Sequence, residues 1–165
     1  MDIDTNEADR LLNGPAKDEE TYGMSIAEVN VVCLGDAAEI LSRCRNVLTL
    51  VLTRSKDTWP SVAEWSRILP KWFTEACSGE IDPAEQEAEI ARVKSLPMEE
   101  GMMAPWSIGV WTGAFNLNWR SWFWWNAEIV NDDHLRVWVA VDGWPYSEGV
   151  LRWLLLAAGA QRIEF

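Results

Sequence analysis

Eight of the twelve tryptophans fall between Trp106 and Trp144, and the densest run is Trp119-Arg120-Ser121-Trp122-Phe123-Trp124-Trp125. A buried aromatic removes roughly 150–250 Å² from water. At about 25 cal/mol per Å² that is roughly 4–6 kcal/mol of gross burial per ring. Such a chain must build most of its core from these rings or display a large sticky surface. The patterning favours a sheet. Trp122 to Val130 and His134 to Val141 flank Asn131-Asp132-Asp133, a hairpin turn by composition. With Val130 opposite Leu135, one face carries Trp122, Trp124, Asn126, Glu128 and Val130 with Leu135, Val137, Val139 and Val141. The other carries Phe123, Trp125, Ala127 and Ile129 with Arg136, Trp138 and Ala140. Both faces are mainly apolar, so one is core and the other needs cover from helices or a partner. Upstream, Trp106, Ile108 and Val110 alternate with Ser107 and Gly109, and Phe115, Leu117 and Trp119 with Asn116 and Asn118. Period two predicts two further strands there.

The remaining segments predict helices around that sheet. Residues 1–24 form a polar lead-in that reads equally as a short helix from about Thr5 to Leu12 or as a disordered segment, and residues 25–165 form one domain. Val29 to Leu34 reads as a strand. Asp36 and Glu39 open a helix as a capping box, Asn46 stops it, and the apolar run Val47 to Leu52 reads as a second strand. Ser61 and Glu64 cap a helix that Pro70 must kink or split. Asp82-Pro83 starts a helix reaching Ser95, with a thin alanine stripe, and Met98 to Met103 is a loop. Ser147 to Ala158 is a helix with Val150, Leu151, Leu154, Leu155 and Ala158 inward, Gly159 caps it, and Gln161 to Phe165 is a last strand. The expected class is mixed α+β, with a largely antiparallel, tryptophan-rich central sheet and helices packed on it.

Fourteen basic residues against twenty-six acidic ones give a net charge of −12 and a pI near 4.4. That balance opposes direct binding to nucleic acid or to an anionic membrane face and favours a basic protein partner. The first twenty residues hold seven acids and no apolar segment behind a basic start, so no secretion signal is expected. Trp153 to Ala160 is the longest clean apolar run and is too short to span a bilayer. Cys33, Cys44 and Cys77 form no CxxC pair and read as free, mostly buried thiols in a cytoplasmic protein. His134 is the only histidine and reads as a strand-end residue near water. No GxSxG, P-loop, GxGxxG or metal-ligand spacing occurs, so no catalytic residue, metal or cofactor is expected.

Carboxylates remain. From Glu75 to Glu100 eight acids face only Arg92 and Lys94. Glu80, Asp82, Glu85, Glu89, Glu99 and Glu100 are the candidate partner-binding residues there, joined by Asp132 and Asp133 at the hairpin and by Trp125 as an aromatic anchor. The run Glu80-Ile81-Asp82-Pro83-Ala84-Glu85, the aromatics of Trp119–Trp125 and the absence of a catalytic set give the chain a character that resembles the immunity proteins of bacterial toxin systems. The resemblance implies a non-enzymatic antitoxin that covers the active site of a cognate basic toxin, often a nuclease. Two alternatives stand beside it. Tryptophan platforms with carboxylates such as Glu99-Glu100 also suit a carbohydrate-binding or glycoside-processing domain. An acidic inhibitor that imitates nucleic acid is the other.

Overall fold

The computed structural model describes residues 2–117 and 119–165. Among them are eight helices and one four-stranded antiparallel sheet, an α+β fold. The strands are β1 (Ser25–Val32), β2 (Trp122–Asn131), β3 (His134–Val141) and β4 (Arg162–Glu164), in spatial order β2-β3-β1-β4. The helices are α1 (Glu7–Asn13), α2 (Ala37–Leu52), α3 (Val62–Ile68), α4 (Lys71–Ala76), α5 (Gln86–Ser95), α6 (Met98–Met102), α7 (Ile108–Asn116) and α8 (Glu148–Ala158).

The hairpin forms as its turn chemistry dictates, with the Asn131 side chain accepting from the Asp133 amide at 2.9 Å. Its register differs from strict alternation. Ile129, not Val130, opposes Leu135, and register shifts fall at Trp125 and Val130. A bulge flips every following residue to the other face. Trp122 and Trp124 therefore point inward with Val137, Val139 and Val141. Asn126 and Glu128 instead join Arg136 and Trp138 on the outer face. The inner face is completed by Ala27, Val29 and Val31 of β1, all buried. The outer face stays half-exposed, with Ile26, Glu28 and Trp138 on it.

Helices α2 and α8 pack on the inner face. In α2, Ala37, Ile40, Leu41, Cys44, Val47, Leu48 and Val51 are all buried, one unbroken stripe at helical spacing. Val47–Leu52 is thus the last part of a helix and not a strand. Its continuous apolar look comes from a helix wedged between sheet and α8. Asp36 occupies the N-cap position without a side-chain capping bond. Pro70 splits α3 from α4, and the Ser61–Glu64 capping box is fully formed.

The alternation at 106–119 is also overridden. Ile108–Asn116 is helix α7, begun by the Ser107 hydroxyl accepting from the Val110 amide at 3.2 Å. Ile108, Trp111, Thr112 and Phe115 lie at i, i+3, i+4 and i+7 and are buried, so the 3.6 period coexisted with the period of two and won. Asn118 lies outside the described residues. An aromatic chain then ties the helices to the sheet. Phe73 meets Trp111 at 4.8 Å between ring centres, Trp111 meets Phe115 at 4.8 Å, and Phe115 meets Trp122 at 6.4 Å.

The N-terminal segment is stitched to the outer edge of β2. Glu7 is 1% exposed, takes both Arg120 guanidinium nitrogens at 2.5 and 2.8 Å, and accepts the Trp124 amide at 2.6 Å. Arg10, equally buried, donates to the Trp124 carbonyl at 3.0 Å, to Glu19 at 2.6 Å and to the Ile3 carbonyl. Edge-strand groups that would otherwise template another chain are satisfied by side chains. Gly14, at φ 75°, follows the helix where a side chain would press on Asn126.

Candidate protein-binding surface

The acidic segment leaves the body of the protein and returns to it at one place. The Ser78 amide donates to the Trp106 carbonyl at 3.0 Å, and Ser78 and Ser107 form an isolated parallel bridge. Residues 79–105 are the excursion between these points, and not one of them is fully buried. Helix α5 starts at Gln86, later than its sequence suggests. Asp82 caps a turn instead, its carboxylate accepting from the Ala84 amide at 3.1 Å. Residues 98–102, expected as loop, form helix α6. Gly101 lets α6 approach α5, since a Cβ there would sit 3.3 Å from the Val93 carbonyl oxygen.

A ten-residue helix with no buried residue is an uncommon object in a folded domain. Isolated helices shorter than about 12–15 residues are marginal in water. Ordering backbone costs roughly 1–2 kcal/mol per residue, normally repaid by apolar burial. Here the apolar side chains point out: Ile81, Ile90 (48% exposed), Met98 (80%), Met102 and Met103. They are interleaved with carboxylates. Seven acids from Glu80 to Glu100 face Arg92 and Lys94 alone.

The candidate residues divide by role. Glu80 is structural: its carboxylate accepts the Gly109 amide at 2.9 Å, in the first turn of α7, where a negative group suits the helix dipole. Glu89 is bound to Arg92 at 2.9 and 2.5 Å, and that hydrogen bond chiefly draws its pKa below the ordinary value. Glu85, Glu99 and Glu100 are exposed and, among the described residues, make no ion pair, as is true of Glu87 in the same acidic run. Asp132 and Asp133 belong to the β2–β3 hairpin and not to the excursion. Asp133 accepts the Gly35 amide at 2.7 Å, and the Asp132 carbonyl accepts the Ala37 amide at 3.1 Å, so the turn holds the start of α2. Trp125 is half-buried on β2, with the Arg10 guanidinium 5.2 Å from its ring centre. The freely exposed tryptophans are Trp119 (58%) and Trp144 (63%), which composition alone does not separate from the rest.

Outside the excursion, Cys44, Cys77 and His134 sit in structural surroundings. Burial pushes Cys44 up to about 12 and Cys77 up to about 11, so neither is a thiolate near neutrality. His134 shares a 2.9 Å hydrogen bond with Asn30 across the strands. A cavity of about 420 Å³ lies between α1, the end of α2 and α7, but its buried charges, Glu7 and Arg120, are spent on each other. Among the described residues no helix is long and apolar enough to cross a membrane. The chain matches no protein-family model, no curated protein and no solved structure.

Proposed function

We propose that this is a non-enzymatic binding protein, an antitoxin of the immunity-protein kind that neutralises a basic protein domain, a nuclease toxin being the leading class, by covering its active site. The observation that carries the reading is the excursion at 79–105: held at its root, buried nowhere, and coated with carboxylates and apolar side chains together. Carboxylates steer a basic partner and raise its association rate, while apolar groups supply the desolvated centre that holds it. The test is capture of the partner by the full chain from the source cells, identification, and measurement of its association rate against salt. A basic toxin domain bound one-to-one, with inhibition of its activity, supports the reading. A partner that is acidic or whose activity survives binding removes it.

A second reading has one observation in its favour. Ile26, Trp125, Asn126 and Trp138 line a shallow cleft on the outer sheet face, beside Glu28 and Glu128. Indole faces and planar polar groups suit a sugar. Oligosaccharide arrays with tryptophan fluorescence as readout decide it, and silence across the array eliminates it.

A further inference from the structure

The two edges of the sheet are finished differently. On β2 the outward amide and carbonyl of Trp124 are taken by the Glu7 and Arg10 side chains. On β4, at the opposite edge, no further strand pairs among the described residues, and Arg162 and Glu164 are exposed. A free strand edge is a template for another strand. We propose that β4 pairs with β4 of a second copy of this chain, antiparallel about a two-fold axis through Ile163, joining two four-stranded sheets into one. The inference does not rest on the antitoxin reading.

Charge chooses both the occupant and the register. Ile163 pairs with Val31, which is buried on the inner face, so Arg162 and Glu164 lie on the outer one. Residues opposite each other in a continuous sheet share a face, so the axis passes through a residue of β4 and not between two. Through Ile163, Arg162 of each copy stands opposite Glu164 of the other, and both pairs attract. Through Arg162 or Glu164, like charges meet on the axis, which is destabilising. In the single chain these two side chains pair with each other at 3.1 Å while 68% and 57% exposed, and a solvated pair of that kind is readily exchanged. On the inner face a cleft of about 440 Å³ adjoins the axis, with Met102, Met103, Leu156 and Ile163 in its lining. Its charged lining is mixed, Glu99 with Arg152 and Arg162, and the axis sets the two clefts side by side. Because the β2 edge is closed by side chains, pairing stops at two copies. Each copy carries −12, so the copies repel at a distance, and salt screens that repulsion. Self-association therefore strengthens with salt, the opposite of capture of a basic partner.

The test is sedimentation equilibrium of the full chain at low and high salt. The inference expects a mass rising toward twice 18.8 kDa with concentration, and rising further at high salt. Arg162→Glu and Glu164→Arg, each alone, set like charges opposite each other at both pairs and should weaken self-association at least about tenfold. An equal mixture of the two variants restores both attractive pairs and should restore the dimer. The double variant Arg162→Glu, Glu164→Arg should dimerise by itself for the same reason. Both side chains are exposed, and an unfolded variant would not be rescued by mixing, so loss of fold does not imitate the result. A monomer at every salt concentration up to about 1 mM chain, a dimer that both single variants leave intact, or a mixture that stays monomeric overturns the inference.

Discussion

At the level of single residues, buried charge and buried indole nitrogen decide how much each side chain is worth. Removing one member of a buried ion pair leaves the other uncompensated and costs about 3–5 kcal/mol, whereas replacing both by apolar groups is often near neutral. Glu7→Ala should therefore lose stability of that order in urea unfolding. Glu7→Leu with Arg120→Met should recover most of it, short of about 1 kcal/mol for the orphaned Trp124 amide. A double variant as unstable as the single one would refute this ledger. The tryptophans differ in the same way. Trp111 donates its indole N–H to the Val150 carbonyl at 2.9 Å, while the buried indole N–H of Trp65 has no acceptor among the described residues. Trp111→Phe should cost about 1 kcal/mol more than Trp65→Phe, because only the first loses a hydrogen bond.

Among elements, the N-terminal strap and the 79–105 excursion stand at opposite extremes. The strap is bound through buried charge, and its acid sensitivity follows from Glu19. Burial alone would raise that carboxyl, but the Ala16 amide and the Arg10 guanidinium outweigh it and leave its pKa below the ordinary value of 4.5. A depressed folded pKa means the stabilisation is complete above the ordinary value and is lost as pH falls through the folded one. Urea midpoints should drop below about pH 4.5, and Glu19→Gln should flatten that part of the fall. An identical acid profile in the variant would show that Glu19 is not the linked group. The excursion should behave in the opposite way. Replacing residues 83–103 with a short Gly-Ser linker retains Glu80 and the Ser78–Ser107 bridge. It should leave the unfolding transition of the core cooperative and shift it by no more than about 1 kcal/mol, while abolishing partner capture. A collapsed or molten product would mean that the excursion is part of the core.

These elements also show what the amino-acid order reveals. Helix α8, the hairpin turn and the Ser61 cap rest on local chemistry, and their positions can be read directly. Helix α7 and the end of α2 could not be read from alternation or apolar runs. Trp106-Ser107-Ile108-Gly109-Val110 satisfies both periods, and only the packing of Trp111 between Phe73 and Phe115 decides. The reversal of faces beyond Trp125 is likewise tertiary, since a bulge leaves no mark in a pattern of apolar residues. The thin alanine stripe did signal that α5 is loosely held.

For the whole molecule, charge and anatomy point the same way. The core is built on one face of a four-stranded sheet, and the excursion at 79–105 is an exposed surface that carries carboxylates and apolar side chains together. The net charge of −12 extends attraction beyond contact, but salt screens it, with a Debye length of about 10 Å at 0.1 M. On the proposed reading, a basic partner arrives and docks on the carboxylates of α5 and α6. The measurement that tests it most directly is the association rate of the captured partner, by stopped flow, across ionic strength, with the wild-type chain and the Glu85→Gln, Glu87→Gln, Glu99→Gln, Glu100→Gln variant. The wild-type rate should fall at least about tenfold from low to high salt. The variant's dependence should be much flatter, with a dissociation rate changed far less than the association rate. Equal salt dependence in the two proteins, or none in either, would contradict it.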